Sequence, residues 1–395
     1  MLRCSPSGFT DPLSNHDYRF ARLETISPGD ALTTRKQRER EPLFVIAEAG
    51  VNHNGSLERA MELVNAAAKA GADAVKFQTF RADALATSYA PKAAYQRKTT
   101  GSSESQRTML QRLELGETAH RELMKHCAGI GIEFMSTPFD LESLSLLVRL
   151  GVRRLKLGSG DLTNAPLLLN AGRSGLPIIL STGMATLDDI KSSLGVLVLG
   201  MTGAQKLTSR AFARAWASPD GRRLAASRVT LLHCTTEYPA PITEVNLKAM
   251  LTMRDTFGLE VGYSDHTEGI TVAIAAVALG ATVIEKHLTL DRKLPGPDHA
   301  ASLEPDEFGA LVSAVRDAAR ALGSPEKKVA ASEAGNVIVA RKSLVALQAV
   351  EKGELFTPQN LGAKRPGNGV SPMEYWNWLG RPAPRAFAPN ELIAP

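Results

Sequence analysis

The strongest constraint on the fold is a rhythm of short apolar runs and helical stretches that begins at Phe44. The eight runs are FVIAEAG, DAVKFQTF, IEFMSTP, RRLKLGSGD, PIILSTGMA, VTLLHCTT, LEVGYSDHT and TVIEKHLTL. Between them lie segments such as Ser56 to Gly71, with a cap residue at the start, apolar residues at helical spacing and glycine at the end. Eight such units without an early GxGxxG turn favour a (β/α)8 TIM barrel, an α/β fold, over a doubly wound sheet.

The rest of the chain divides around this rhythm. The predicted segments are a polar, partly disordered extension (1–41), the barrel (42–322), a linker rich in Pro, Lys, Ser and Gly (323–335) and a compact α+β module (336–395). In the last segment, SPMEYWNWLG has the capping residues of one short helix. Two long connections, 81–116 and 200–227, exceed the rhythm, and long loops in compact barrels are usually functional.

Composition excludes several classes of protein. The net charge of +5 is spread along the chain, and its densest basic cluster, TTRKQRERE, is interleaved with acids, so no nucleic-acid partner is expected. The sequence contains no run of eighteen apolar residues and no pattern of a signal peptide, so no membrane partner is expected. The three cysteines, Cys4, Cys127 and Cys234, are scattered, which favours a reducing cytoplasm over a disulfide framework.

Each of the eight runs carries a polar residue near its end. These residues are Glu48, Lys76 with Gln78, Ser136 with Thr137, Lys156 with Ser159, Ser181 with Thr182, His233, Asp265 with His266, and Glu285 with Lys286 and His287. Because the active site of a TIM barrel lies at the carboxyl ends of its strands, these side chains are expected to converge. Lysines and hydroxyls suit a phosphate and a carboxylate, two histidines suit a divalent metal, and Glu48 suits acid or base catalysis.

Five long motifs resemble the sialic acid synthases, the N-acetylneuraminate synthase family. They are FVIAEAGVNHNGSLERAMELVNAAAKAGADAVKFQTF, HCTTEYPAPITEVNL, GYSDHTEGI, EKHLTLDRKLPGPDHAASLEPDEF and KRPGNGVSPMEYWNWLG, in family order from about Phe44 to the C-terminus. The resemblance implies a TIM barrel followed by a small antifreeze-like (SAF) domain. It also implies condensation of phosphoenolpyruvate with the open-chain aldehyde of N-acetylmannosamine, loss of phosphate by C–O cleavage, and a Mn²⁺ or Mg²⁺ ion on the aldehyde oxygen.

The resemblance also implies roles for individual residues. The predicted metal ligands are His233 and His266, and the predicted catalytic residues are Glu48, Lys156 and, from its strand-end position alone, Asp265. The predicted substrate-binding residues are Lys76, Thr137, Ser159, Ser181 and Arg341, together with Gln78 and Lys286 from their strand-end positions alone. Arg341, or the adjacent Lys342, is expected to reach the N-acetylated amino sugar in the partner subunit's barrel, which predicts a domain-swapped homodimer.

Several alternatives stay open. A legionaminic or pseudaminic acid synthase would use the same mechanism on a diacetamido trideoxy hexose. The appended domain argues against a heptulosonate or octulosonate synthase, and the complete set of polar strand ends argues against a non-catalytic carbohydrate-binding or ice-binding protein. Cys234 is expected to pack between barrel and helices because it alternates with His233, whereas His287 and His299 could touch the site or support it.

Overall fold

The computed structural model describes residues 43–101 and 103–394, so the predicted extension lies outside the described residues. Eight parallel strands follow one another: β1 Phe44–Gly50, β2 Ala74–Thr79, β3 Glu133–Pro138, β4 Leu155–Leu157, β5 Ile178–Ser181, β6 Val229–His233, β7 Glu260–Asp265 and β8 Val283–His287. Their order in the sheet is β3-β2-β1-β8-β7-β6-β5-β4, and β3 contacts β4, which closes the ring. The predicted TIM barrel is confirmed.

Thirteen α-helices belong to the same part of the described chain. They are α1 Leu57–Lys69, α2 Ala82–Leu85, α3 Ala94–Thr100, α4 Gln106–Gln111, α5 Glu117–Ile130, α6 Leu141–Leu150, α7 Ala165–Arg173, α8 Leu187–Met201, α9 Ser209–Ala217, α10 Pro219–Arg228, α11 Ala249–Phe257, α12 Thr271–Ala278 and α13 Pro305–Leu322. Their ends follow from local chemistry. Ser56 and Asp140 accept hydrogen bonds from backbone N–H groups at the starts of α1 and α6, and Gly131 and Gly151 end α5 and α6 in the left-handed region.

Strand alternation separates two apolar layers. Side chains such as Val45 and Val75 point outward and join the main core beneath the helices. The alternate positions point into the barrel, where Ile46, Ala74, Met135, Ile179, Leu232 and Val283 form a separate cluster. This apolar layer fills the barrel below the strand ends, so the positions two residues further along each strand must face the space above it.

Both long connections contain helices. Residues 81–116 contain α2, α3 and α4. An apolar cluster that includes Phe80, Met109 and Leu113 forms the core of this segment. Residues 200–227 contain α9 and most of α10, and Trp216 on α9 packs at an angle of 67° against Phe257 on α11. The connections are therefore ordered parts of the barrel unit.

A second compact unit begins at Gly323. It contains α14 Ala334–Ala340, the antiparallel pair β9 Ser343–Ala346 and β10 Leu361–Lys364, and α15 Tyr375–Trp378. A 3-10 helix, Pro372–Glu374, leads directly into α15, and Gly380 follows with φ 76°, as the capping pattern predicts. A core that includes Leu344, Phe356, Phe387 and Ile393 holds the unit together. Across the described ranges, no helix is both long and apolar enough to span a bilayer.

Candidate functional site

A ring of polar side chains lies above the apolar layer, on the inner face of the barrel. All eight strands, or the residues that directly follow them, contribute to this ring. Its members are Glu48, Lys76, Gln78, Thr137, Lys156, Ser181, Cys234, Ser264, His266, Glu285 and His287. Gln78 is half-buried and the others are buried, so the groups act on one another with little screening by water.

One half of the ring is organised around Lys76. Its ammonium group forms an ion pair with the carboxylate of Glu48 and lies 3.6 Å from Oε2 of Glu285. It also donates a hydrogen bond of 3.1 Å to Oγ1 of Thr137. Gln78 lies on the same strand, and its Nε2 atom is 3.4 Å from Oε1 of Glu48. Lys76 therefore presents a fixed positive charge beside a hydroxyl group.

The other half is organised around Lys156. Its ammonium group donates to Oγ of Ser181 at 2.7 Å and lies 3.5 Å from Oε1 of Glu285. Ser264 donates to the same Glu285 oxygen at 2.8 Å. Glu285 thus lies between the two lysines and balances part of their charge. Two ammonium groups with nearby hydroxyls are suited to a small ligand that carries both phosphate and carboxylate.

The two carboxylates of the ring differ in acidity. Burial raises the pKa of Glu48 to about 7, against the lowering effect of Lys76, and the charge of Glu285 adds to the rise. Burial alone would also raise the pKa of Glu285, but Lys156 and Lys76 outweigh it and lower that pKa to about 2. Glu48 can therefore exchange a proton near neutral pH, whereas Glu285 stays ionised.

Two histidines lie together at one side of the ring. The ring centroids of His266 and His287 are 5.7 Å apart. Nδ1 of His266 donates to the carbonyl oxygen of Thr235 at 2.7 Å, which leaves Nε2 with a free lone pair, 3.4 Å from Oγ of Ser264. The buried Nδ1 of His287 has no hydrogen-bond partner within the described residues. Burial lowers the pKa of both histidines, so both are neutral near pH 7.

These features fit a divalent metal held by two imidazoles. Neutral imidazole is the form that binds metals, and a backbone carbonyl that fixes the opposite ring nitrogen is a common support. Within residues 43–101 and 103–394, no group of three or more His, Cys, Asp or Glu side chains forms a metal site by itself. A metal here would need oxygen ligands from substrate or water to complete its coordination.

Family comparison finds two matching regions. The NeuB family matches residues 63–327, which is more than half of the chain, and the SAF domain matches residues 341–395. The chain belongs to the NeuB family. The predicted resemblance to the sialic acid synthases and the predicted order of barrel and SAF domain are therefore confirmed, and the chain is an enzyme of the sialic acid synthase type.

Individual members of the NeuB family differ in their similarity to the chain. The N,N'-diacetyllegionaminic acid synthase of Campylobacter jejuni is 49% identical over 89% of this chain and 98% of its own length. The human N-acetylneuraminate-9-phosphate synthase is 33% identical over 87% of this chain and 89% of its own length. Among solved structures, the N-acetylneuraminic acid synthetase of Leptospira borgpetersenii, in complex with citrate, matches with TM-score 0.61 and 32% identity, covering 75% of this chain and 91% of that one.

Three predicted site residues of this NeuB-family chain lie on the outer face of the barrel. His233 alternates with the inward Leu232, its Nε2 donates to the carbonyl of Val245 at 2.7 Å, and its ring centroid is 5.9 Å from that of Tyr263 in the outer core. The predicted pairing of His233 with His266 is therefore corrected. The histidine that the structure brings next to His266 is His287.

Asp265 and Lys286 form a separate buried ion pair of 2.9 Å, with both side chains fully buried. Oδ1 of Asp265 also accepts hydrogen bonds from the backbone N–H and the hydroxyl of Thr267. These contacts join the ends of β7 and β8 on the face opposite to Glu285. The structure therefore places both side chains outside the ring, which argues against the catalytic and substrate-binding roles predicted for them.

The same alternation corrects the prediction for Cys234. Because Leu232 points into the barrel, Cys234 does too, and its sulfur accepts a hydrogen bond of 3.1 Å from the backbone N–H of Gly183. Glu285 was expected only as a strand-end residue, His287 was expected either to touch the site or to support it, and Ser264 was not predicted. All three share the inner face because side chains alternate along a strand, and the register of the sheet shows which face is the inner one.

Two predicted substrate-binding residues lie outside the ring. Ser159 begins a 3-10 helix after β4, and its hydroxyl is 3.3 Å from that of Thr236, in the loop after β6. Arg341 is exposed in the second unit, as is Lys342. Contact of either cation with a sugar in a partner subunit stays a prediction.

Proposed function

We propose that the chain condenses phosphoenolpyruvate with a diacetamido trideoxy hexose to form N,N'-diacetyllegionaminic acid and phosphate. The observation that carries this proposal is the identity of 49% to a synthase of that product over 98% of its length, against 33% to an N-acetylneuraminate-9-phosphate synthase. The sequence first suggested N-acetylmannosamine as the acceptor, with a diacetamido trideoxy hexose as the alternative. The proposal takes this alternative. Both acceptors are N-acetylated amino sugars and require the same bond formation.

The two lysines support phosphoenolpyruvate as the other substrate. In the proposed complex, the ammonium groups of Lys76 and Lys156 neutralise its carboxylate and phosphate, while Thr137, Ser159 and Ser181 donate hydrogen bonds. Glu285 remains ionised between the lysines and keeps them in place before the substrate arrives. Positioning of this kind lets the reacting carbon approach the sugar in a fixed orientation.

The reaction then needs proton transfer at the sugar. C3 of phosphoenolpyruvate attacks the aldehyde carbon, the resulting cation at C2 takes up water, and the tetrahedral intermediate loses phosphate by C–O cleavage. Glu48, with a pKa of about 7, is suited to give a proton to the new alkoxide or to take one from the attacking water. Gln78 lies 3.4 Å from the same carboxylate and is suited to orient it.

His266 and His287 are the proposed ligands of the divalent metal. A bound Mn²⁺ or Mg²⁺ ion would supply Lewis-acid polarisation of the aldehyde oxygen. The free lone pair of His266 and the unpartnered Nδ1 of His287 support this assignment over His233. The swapped homodimer, with Arg341 near the sugar of the partner subunit, is kept as part of the proposal on the strength of the family resemblance.

Phosphate release tests the proposed function. The protein would be supplied with Mn²⁺, phosphoenolpyruvate and, separately, a diacetamido trideoxy hexose, N-acetylmannosamine or its 6-phosphate. We expect release with the diacetamido sugar and a loss of about a hundredfold or more in Lys156→Met, because that variant lacks one of the two cations. Release with N-acetylmannosamine alone, or with no acceptor at all, would contradict the proposal.

A further inference from the structure

A line of aromatic rings leads outward from the two histidines. The ring of Tyr238 lies over His266, with centroids 4.3 Å apart, and meets His287 edge-on at 5.6 Å. The ring of Tyr95 contacts Tyr238 in turn, at 4.9 Å. Both tyrosines are half-buried. The line therefore begins at the proposed metal and ends on α3, in the first long connection.

The helix that carries Tyr95 contacts the loop after β8. Burial, together with the charge of the buried Asp298 in that loop, raises the pKa of Tyr95. Thr99, one helical turn after Tyr95, donates a hydrogen bond of 3.4 Å to the carbonyl of Pro297. These contacts attach α3 to the loop after β8, over the carboxyl end of the barrel.

The position of α3 is fixed from within its own segment. The side chain of Lys92 is 1% exposed, and its ammonium group donates to the hydroxyl of Thr100 at 2.9 Å and to the carbonyl of Gly101 at 3.0 Å. The same group pairs with Glu104 at 2.9 Å. A buried lysine with these partners closes the end of α3, so the ring of Tyr95 is held in one place before any ligand binds.

We propose that Tyr95 is a specificity-determining residue for the acceptor sugar, which rests on the function proposed above. The aldehyde must lie at His266 and His287, and the acetamido group next to it is common to both candidate acceptors. The acceptors differ at the far end, where a second acetamido group replaces a hydroxyl and a methyl group replaces a hydroxymethyl group. Tyr95 lies one ring further from the histidines than Tyr238, and an aromatic face suits these methyl groups better than hydroxyls.

The test compares acceptors in Tyr95→Ala, Tyr95→Phe and wild type, with Tyr89→Ala as the matched control. Tyr89 lies in the same connection, but its side chain is 92% exposed. We expect Tyr95→Ala to raise KM for the diacetamido sugar about tenfold and to lower its kcat/KM relative to N-acetylmannosamine by a similar factor. KM for phosphoenolpyruvate should change less than about twofold, because the lysines are untouched.

The two remaining variants separate a contact from a loss of fold. Tyr95→Phe keeps the ring and should keep the wild-type preference, and Tyr89→Ala should behave as wild type. If wild type uses the diacetamido sugar and Tyr95→Ala keeps the same acceptor preference, the role of Tyr95 is overturned and the proposed function is not. A parallel rise in KM for phosphoenolpyruvate would equally overturn the role of Tyr95. Failure of wild type to use the diacetamido sugar would instead overturn the proposed function and this inference with it.

Discussion

The carboxylate of Glu285 and the ammonium group of Lys156 approach to 3.5 Å inside the barrel, where neither side chain is more than 6% exposed. Lys76 lies 3.6 Å from the other oxygen of the same carboxylate. One anion therefore serves two cations before substrate binds. A ligand with two negative groups could take over part of this pairing, which links the stability of the barrel to occupancy of the site.

Glu285→Gln removes the shared anion and leaves two buried ammonium groups close together. Breaking a buried pair in this way costs about 3–5 kcal/mol, so we expect a loss of that order in the free energy of unfolding, measured with urea. Phosphoenolpyruvate should restore part of it. The matched control is Asp317→Asn, whose ion pair with Arg320 on α13 is well exposed and should change stability by less than about 1 kcal/mol. Equal stability of the two variants would contradict the role of Glu285.

Glu48 predicts the pH dependence of turnover. Burial raises its pKa to about 7, so the carboxyl group is protonated below that pH and ionised above it. If Glu48 acts as the base, kcat/KM for the acceptor should rise as pH increases through about 7. Glu48→Gln should lower kcat/KM by about a hundredfold or more and remove this rise. A rise that persists in the glutamine variant would assign it to another group.

The histidine assignment predicts a clear difference among three variants. His266→Ala and His287→Ala should each lose tight Mn²⁺ binding in titration calorimetry, because each removes one of two protein ligands. His233→Ala should keep it, since that side chain lies on the outer face and contacts Val245. Loss of Mn²⁺ binding in a folded His233→Ala protein would restore the pairing expected from sequence.

Lys286 and Asp265 are expected to matter for stability and not for binding. Lys286→Met leaves a buried carboxylate without its cation, and we expect a loss of about 3–5 kcal/mol in the free energy of unfolding. KM for phosphoenolpyruvate should stay within about twofold of wild type in the folded fraction. A large increase in that KM without loss of stability would place Lys286 in the substrate site after all.

The barrel could be predicted from the sequence because each strand and helix has a local signal, namely a short apolar run or apolar residues at helical spacing with capping residues at the ends. It did not predict which strand-end residues face inward, and the reason is physical. Strands of a parallel barrel are buried on both faces, so Val283 and Ile284 are both apolar although one points inward and the other outward. In the following residues, Glu285, Lys286 and His287, polarity gives no sign of the inner face. Only the register of the sheet decides it.

The position of Tyr95 near the site could not be predicted from the sequence for a different reason. It lies in a connection whose path depends on buried contacts such as those of Lys92, and no periodicity marks its approach to Tyr238. By contrast, the second unit's short helix was predictable, because its capping residues act within one turn.

A competition between acceptors tests the proposed function most directly. The protein would receive Mn²⁺, phosphoenolpyruvate and equal concentrations of the diacetamido trideoxy hexose and N-acetylmannosamine, and the nine-carbon products would be identified by mass spectrometry. The predicted result is N,N'-diacetyllegionaminic acid as the main product from the earliest time points. N-acetylneuraminate as the main product would contradict the proposed function.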